Sequence, residues 1–133
     1  MNQDRKAELA PAIKAVMKKY KMQGTISVRH HSTLVVNLKA GALDIIGNAN
    51  AVRAEKGVDQ FGDALPMLKD HIDVNVYWIS ENYAGIVRDF LTELKAAMNA
   101  GNFDKSDIMT DYFHVGWYTE INVGKWNKPY EVK

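Results

Sequence analysis

Residues 72–98 most limit what this chain can become, because a strand pattern there runs directly into an amphipathic helix pattern. Ile72-Asp73-Val74-Asn75-Val76-Tyr77-Trp78 alternates apolar and polar side chains, the period of a strand with one buried face. Ser80 follows as the expected N-cap, its hydroxyl able to accept an orphan backbone N–H. Tyr83, Ile86, Val87, Phe90, Leu91, Leu94, Ala97 and Met98 then recur at spacings of three and four, with Arg88, Asp89, Glu93 and Lys95 on the opposite face. Asn99 and Gly101 supply the stop. Such a helix cannot shelter its own apolar stripe, so it demands a sheet to lie on.

Upstream, Leu9, Ile13, Val16, Met17 and Tyr20 make a first helical stripe, with Lys14, Lys18, Lys19 and Lys21 turned outward and Gly24 as the terminator. Pro11 either sits in the first turn of a helix starting near Ala10 or interrupts one starting near Gln3; the polar, helix-friendly residues 3–9 favour the longer form. Residues 25–30 and 33–39 alternate as two strands joined at His31-Ser32, a hairpin without the Asn-Gly or Asp-Gly pair that marks the tightest turns. Residues 40–69 offer Leu43, Ile45 and Ile46 as anchors and predict a short helix or an irregular excursion over one sheet edge. After a polar loop over residues 102–111, residues 117–123 form the last strand, with Trp117, Thr119, Ile121 and Val123 on one face and Tyr118, Glu120 and Asn122 on the other. Gly124 breaks it, and Pro129 is expected to bar further pairing. The order α-β-β-irregular-β-α-β predicts a single α+β domain over residues 1–133. Its form would be a two-layer sandwich, with two main helices on one face of a four-stranded, mostly antiparallel sheet.

The 133 residues can bury one core without a staple, and no cysteine is available for a disulfide, a thiolate zinc site or a thiol nucleophile. No N-terminal apolar run resembles a signal peptide, and no stretch approaches a membrane span, so a cytoplasmic protein is expected. Charge is uneven. Residues 1–39 hold eight Lys and Arg against two Asp and Glu, whereas residues 40–133 hold nine against fourteen. A basic first third can face polyanions or simply a solvated helix beside the chain's own acidic part.

One pattern recurs in all four strands, a small polar residue between aliphatics: Ile26-Ser27-Val28, Val36-Asn37-Leu38, Val74-Asn75-Val76 and Ile121-Asn122-Val123. Alternation points the aliphatics at the helices and sends Ser27, Asn37, Asn75 and Asn122 to the other face, together with Arg29, Asp73, Tyr77, Tyr118 and Glu120. Asparagine is disfavoured in strands, so this face reads either as a recognition surface or as a solvated exterior. With Trp126, whose neighbours Lys125, Lys128 and Tyr130 interleave cations and aromatics, these residues form the candidate binding set. Asp111 and His114, three apart, could make a carboxylate–imidazole pair that shuttles protons, but no nucleophile accompanies them. Asn102, Asp104, Ser106 and Asp107 open like a calcium loop yet lack its sixth-place glycine and twelfth-place glutamate, so no metal and no cofactor is expected.

Residues 27–37, Ser-Val-Arg-His-His-Ser-Thr-Leu-Val-Val-Asn, and residues 110–118 with 121–130 resemble small uncharacterised proteins of bacteriophages and mobile elements. The arrangement is also loosely similar to a large polyvalent protein-associated domain of phage-encoded chains. That resemblance implies an accessory protein inside a bacterial host and assigns no functional residue. The expected function is non-enzymatic binding of a bacterial macromolecule through the polar sheet face and tail. The alternatives are nucleic-acid binding through Lys14, Lys18, Lys19 and Arg29 with Tyr77, Tyr118 or Trp126 stacking, and a small enzyme built on Asp111 and His114. An open sheet edge or face would also permit a homodimer.

Overall fold

Helix α1 (Gln3–Lys19) takes the longer of the two forms, with Pro11 inside it. The structure is a computed structural model that describes residues 3–57, 70–100, 117–125 and 127–133. Pro11 and Ala7, whose carbonyl loses its helical partner, are both exposed, so that carbonyl is open to solvent. Leu9, Ile13 and Met17 are buried, and Val16 and Tyr20 are half-buried against the core. Lys21 ends the helix, not Gly24: its φ of 57° turns the chain, and its carbonyl accepts the Ala42 N–H at 3.1 Å.

Strands β1 (Met22–Arg29) and β2 (Thr33–Gly41) form the expected hairpin, each longer than its alternating run. Gly24 lies inside β1 at a register shift, where a Cβ would stand 2.5 Å from the Asn37 carbonyl oxygen. Only glycine fits so close a backbone approach. The turn is centred on His30-His31 and not on His31-Ser32: both histidines have positive φ, 54° and 56°, and the Ser32 N–H closes it on the Arg29 carbonyl.

Helix α2 (Ile45–Lys56) supplies a short helix after β2, and residues 58–69 of the same stretch lie outside the described residues. Its Asp44 cap accepts the Gly47 N–H at 2.9 Å, and Ile45 and Ala49 are buried in the core. The key segment departs from its pattern. Strand β3 is only Ile72–Val74, because the Asn75 side chain accepts the Tyr77 N–H and the Asn75 carbonyl accepts that of Trp78. This local capture turns the chain out of the sheet at an asparagine the alternation places in mid-strand. Ser80 is no N-cap; it lies within the single turn α3 (Ile79–Asn82). Helix α4 (Gly85–Met98) starts instead at Ala84, whose N–H and carbonyl both bond the Asn48 amide of α2, at 2.9 and 3.0 Å. Val87, Phe90, Leu91, Leu94 and Met98 are buried as the stripe requires, but Ile86, at its rim in the first turn, is 57% exposed.

Trp117 precedes β4 (Tyr118–Val123) and is buried, its indole N–H donating to the Met98 carbonyl at the end of α4 at 2.9 Å. The chain leaves β4 at Gly124, turns through Lys125 and Lys128, and returns as β5 (Glu131–Val132) beside Ala40 and Gly41 of β2. Pro129 therefore does not end pairing; it stands just ahead of the strand, where no ladder N–H is needed. Tyr130 is buried, donating its hydroxyl to the Leu43 carbonyl at 2.7 Å. The sheet order is β1-β2-β4-β3 with β5 beside β2, five strands rather than four. It is mixed rather than mostly antiparallel, because β4 enters between β2 and β3, parallel to the first and antiparallel to the second. The two-layer α+β reading holds: Leu34, Val36, Leu38, Ile121 and Val123 face one core with α1 and α4, which pack together.

Candidate functional site

The register fixes what lies on the other side of the sheet. Arg29, Thr33 and Tyr118 share one cross-strand row; Ser27, Val35 and Glu120 the next; Thr25, Asn37, Asn122 and Asp73 the third. Asn37 and Asn122 are thus neighbours, and the Asn122 amide donates to Asn37 at 3.1 Å and to Glu120 at 3.0 Å. Arg29 holds both oxygens of Glu120. Those hydrogen bonds, the guanidinium's first, keep the Glu120 carboxyl below the usual carboxylate range against a desolvation that pushes the other way. Ser27, Arg29, Asn37, Tyr118 and Asn122 therefore occupy one face as alternation predicts. Asn75 does not: it caps the turn that ends β3, and Tyr77 rides on that turn, 78% exposed. Even so, Arg29, Asp73, Asn75, Tyr77, Glu120 and Asn122 line one groove of about 470 Å³.

The early departure of β3 exposes a feature that side-chain patterns cannot reveal. Tyr118 donates its N–H to Ser32 and Gly124 to Leu38, so alternate residues of β4 turn their backbone groups to β2 and those between turn to β3. Ile121 and Val123 meet Val74 and Ile72 there. Thr119 would meet Val76, but Val76 has left the sheet, and its carbonyl accepts the Lys95 ammonium at 2.8 Å. The Thr119 N–H and carbonyl have no ladder partner among the described residues. They open between the groove just described and a second of about 430 Å³ on the α4 side, lined by Tyr77, Lys95, Trp117 and Tyr118. Tyr118 is 60% exposed, and Lys95 stands 5.6 Å from the centre of the Tyr77 ring.

The cations expected to meet nucleic acid divide. Lys19 and the Tyr20 hydroxyl both bind Glu93 of α4, and Arg29 is held by Glu120. Lys14 and Lys18 face a groove with Lys21 beside Gln23 and Gly24. That groove lies at the end of β2 away from Tyr118, about 20 Å along the strands, so lysines and stacking tyrosines are not brought together. Asp111, His114, Trp126 and the calcium-like residues Asn102, Asp104, Ser106 and Asp107 lie outside the described residues. Among the described residues no group of three His, Asp or Glu side chains could hold a metal ion, and no helix is long and apolar enough to cross a membrane. In comparisons with known proteins, no family model matches the sequence, no curated protein is significantly similar to it, and no solved structure matches it.

Proposed function

We propose that this chain is a non-enzymatic binding protein that takes an extended segment of a partner protein along the open edge of β4 at Thr119. The observation that carries the reading is a backbone N–H and carbonyl aimed into a groove, with two exposed tyrosines flanking it. A guest strand would continue where β3 stops, exchanging both bonds with Thr119 and laying side chains against Tyr77 and Tyr118. The resemblance to bacteriophage and mobile-element proteins fits an accessory role toward a bacterial protein in the host cytoplasm. A second copy fits the edge less well, since antiparallel self-pairing at Thr119 would set its Trp117 opposite Ile121, the place that Val74 holds.

Thr119→Pro tests this, because proline removes the one N–H offered to the guest and none that β2 uses. Nuclease-treated bacterial lysate passed over the immobilised protein should yield a retained protein band. The band should vanish with Thr119→Pro and weaken with Tyr77→Ala, while the variants keep the parent circular dichroism and melting curve. A band that survives Thr119→Pro would refute the edge as the contact.

A further inference from the structure

At the far end of the sheet, two grooves meet at Gln23. One, of about 580 Å³, is lined by Lys14, Lys18 and Lys21; the other, of about 330 Å³ on the polar sheet face, by Lys39, Lys125, Lys128 and Lys133. The cations come from both ends of the chain, and the parallel pairing of β5 with β2 unites them. Glu131 is the one acid among the described residues lining either groove, and it pairs with Lys133 at 3.5 Å. Among the described residues, Lys14, Lys18, Lys21, Lys39, Lys125 and Lys128 have no acidic partner, although the whole chain carries a formal charge of only +1. Glu93, Glu120 and Glu8 are paired elsewhere, with Lys19, Arg29 and Arg5.

We propose that this lysine-lined end binds the phosphate backbone of a single-stranded nucleic acid. Uncompensated ammonium groups that line concave grooves attract a polyanion and release its condensed counterions. Two grooves on either side of one strand edge suit a chain that can bend between them, which a stiff duplex does not. Gln23, Thr25 and Asn37 lie among the lysines of the second groove, where their amides and hydroxyl can donate to and accept from exposed base edges.

Fluorescence anisotropy of a labelled single-stranded oligonucleotide, titrated at several salt concentrations, decides the matter. If five lysines reach phosphates, log K should fall against log salt with a slope of about −3.5. The double variant Lys125→Gln, Lys128→Gln should bind at least about tenfold more weakly and lose about 1.4 from that slope. Arg88→Gln, an exposed cation of α4, should match the parent. Binding that ignores salt, equal losses in Arg88→Gln, or equal affinity for the matching duplex or for polyglutamate would each overturn the proposal. Thr119→Pro should leave this binding unchanged, so the two ends of the sheet are tested separately.

Discussion

Arg29 on β1 grips the Glu120 carboxylate on β4 although β2 lies between them. The bridge spans two inter-strand spacings, about 10 Å, and passes over Thr33 and Val35. Those two are the buried residues of an otherwise solvated face, and Val35 stands apart from the helix-side core. A pair on neighbouring strands would fix one register; this one ties the antiparallel β1–β2 and parallel β2–β4 ladders together. It also forms one wall of the groove beside Thr119.

The same pair makes acid sensitivity predictable. Arg29 holds the Glu120 carboxyl below the usual carboxylate range, and Lys19 with Tyr20 does the same for Glu93 at the α1–α4 seam. A carboxyl depressed by folding contributes stability above the range in which the unfolded group titrates and loses it as pH falls through the folded value. Urea midpoints should therefore drop from about pH 5 to pH 3, and the double variant Glu93→Gln, Glu120→Gln should show a flatter acid limb. Added salt should weaken both contributions, because the pairs are partly exposed. An unchanged slope in the double variant would assign the acid limb to other groups.

Trp117 offers a cleaner energetic test, since it is buried and satisfies a helix-end carbonyl that α4 cannot satisfy itself. Trp117→Phe keeps most of the apolar volume and leaves the Met98 carbonyl unpartnered. The expected loss is about 1–3 kcal/mol in urea unfolding. Trp117→Ala adds a cavity and should cost about 3–5 kcal/mol. No loss in Trp117→Phe would mean that the hydrogen bond is worth nothing.

What the sequence foretold and what it hid divide along a physical line. Alternation placed Leu34, Val36, Leu38, Ile121 and Val123 inward and Asn37 and Asn122 outward, because a strand's pleat leaves no other choice once one face is buried. The same alternation misplaced Asn75. Its Val-Asn-Val setting matches that of a strand, but its carbonyl oxygens found local N–H groups before a neighbouring strand could. The open edge at Thr119 follows from that departure, and so depends on where β3 stops rather than on any residue of β4. The lysine-lined end was hidden for a different reason. Lys39 and Lys133 are far apart in sequence and meet only through strand order, which patterns of polarity do not encode.

The hairpin turn carries strain that substitution should relieve. His30 and His31 both sit in the left-handed region, which costs an ordinary residue roughly 1–2 kcal/mol. Asn-Gly adopts those angles readily, so His30→Asn with His31→Gly should stabilise the chain by about 1 kcal/mol and raise the melting temperature by a few degrees. Both imidazoles are exposed. A drop in melting temperature would show that the histidines make contacts worth more than the strain.

Asn48 bears on where α4 begins. Ala84 is a helix cap with no capping side chain of its own, and Asn48 from α2 supplies both an acceptor for its N–H and a donor for its carbonyl. Because Ala84 is exposed, water can partly replace these bonds, so Asn48→Ala should cost about 1–2 kcal/mol rather than the full penalty of two buried groups. Asn48→Asp keeps the acceptor but sets a carboxylate against the Ala84 carbonyl, and should be no better than alanine. Hydrogen exchange separates local from global effects: the Ala84 amide should lose protection in Asn48→Ala and keep more of it in Asn48→Asp, while those of Leu91 and Leu94 hold in both. Equal losses across α4 would show instead that α2 and α4 open as one unit. The α3 turn, which follows Tyr77 and Trp78 and packs on both helices, would then depend on α2 for its placement.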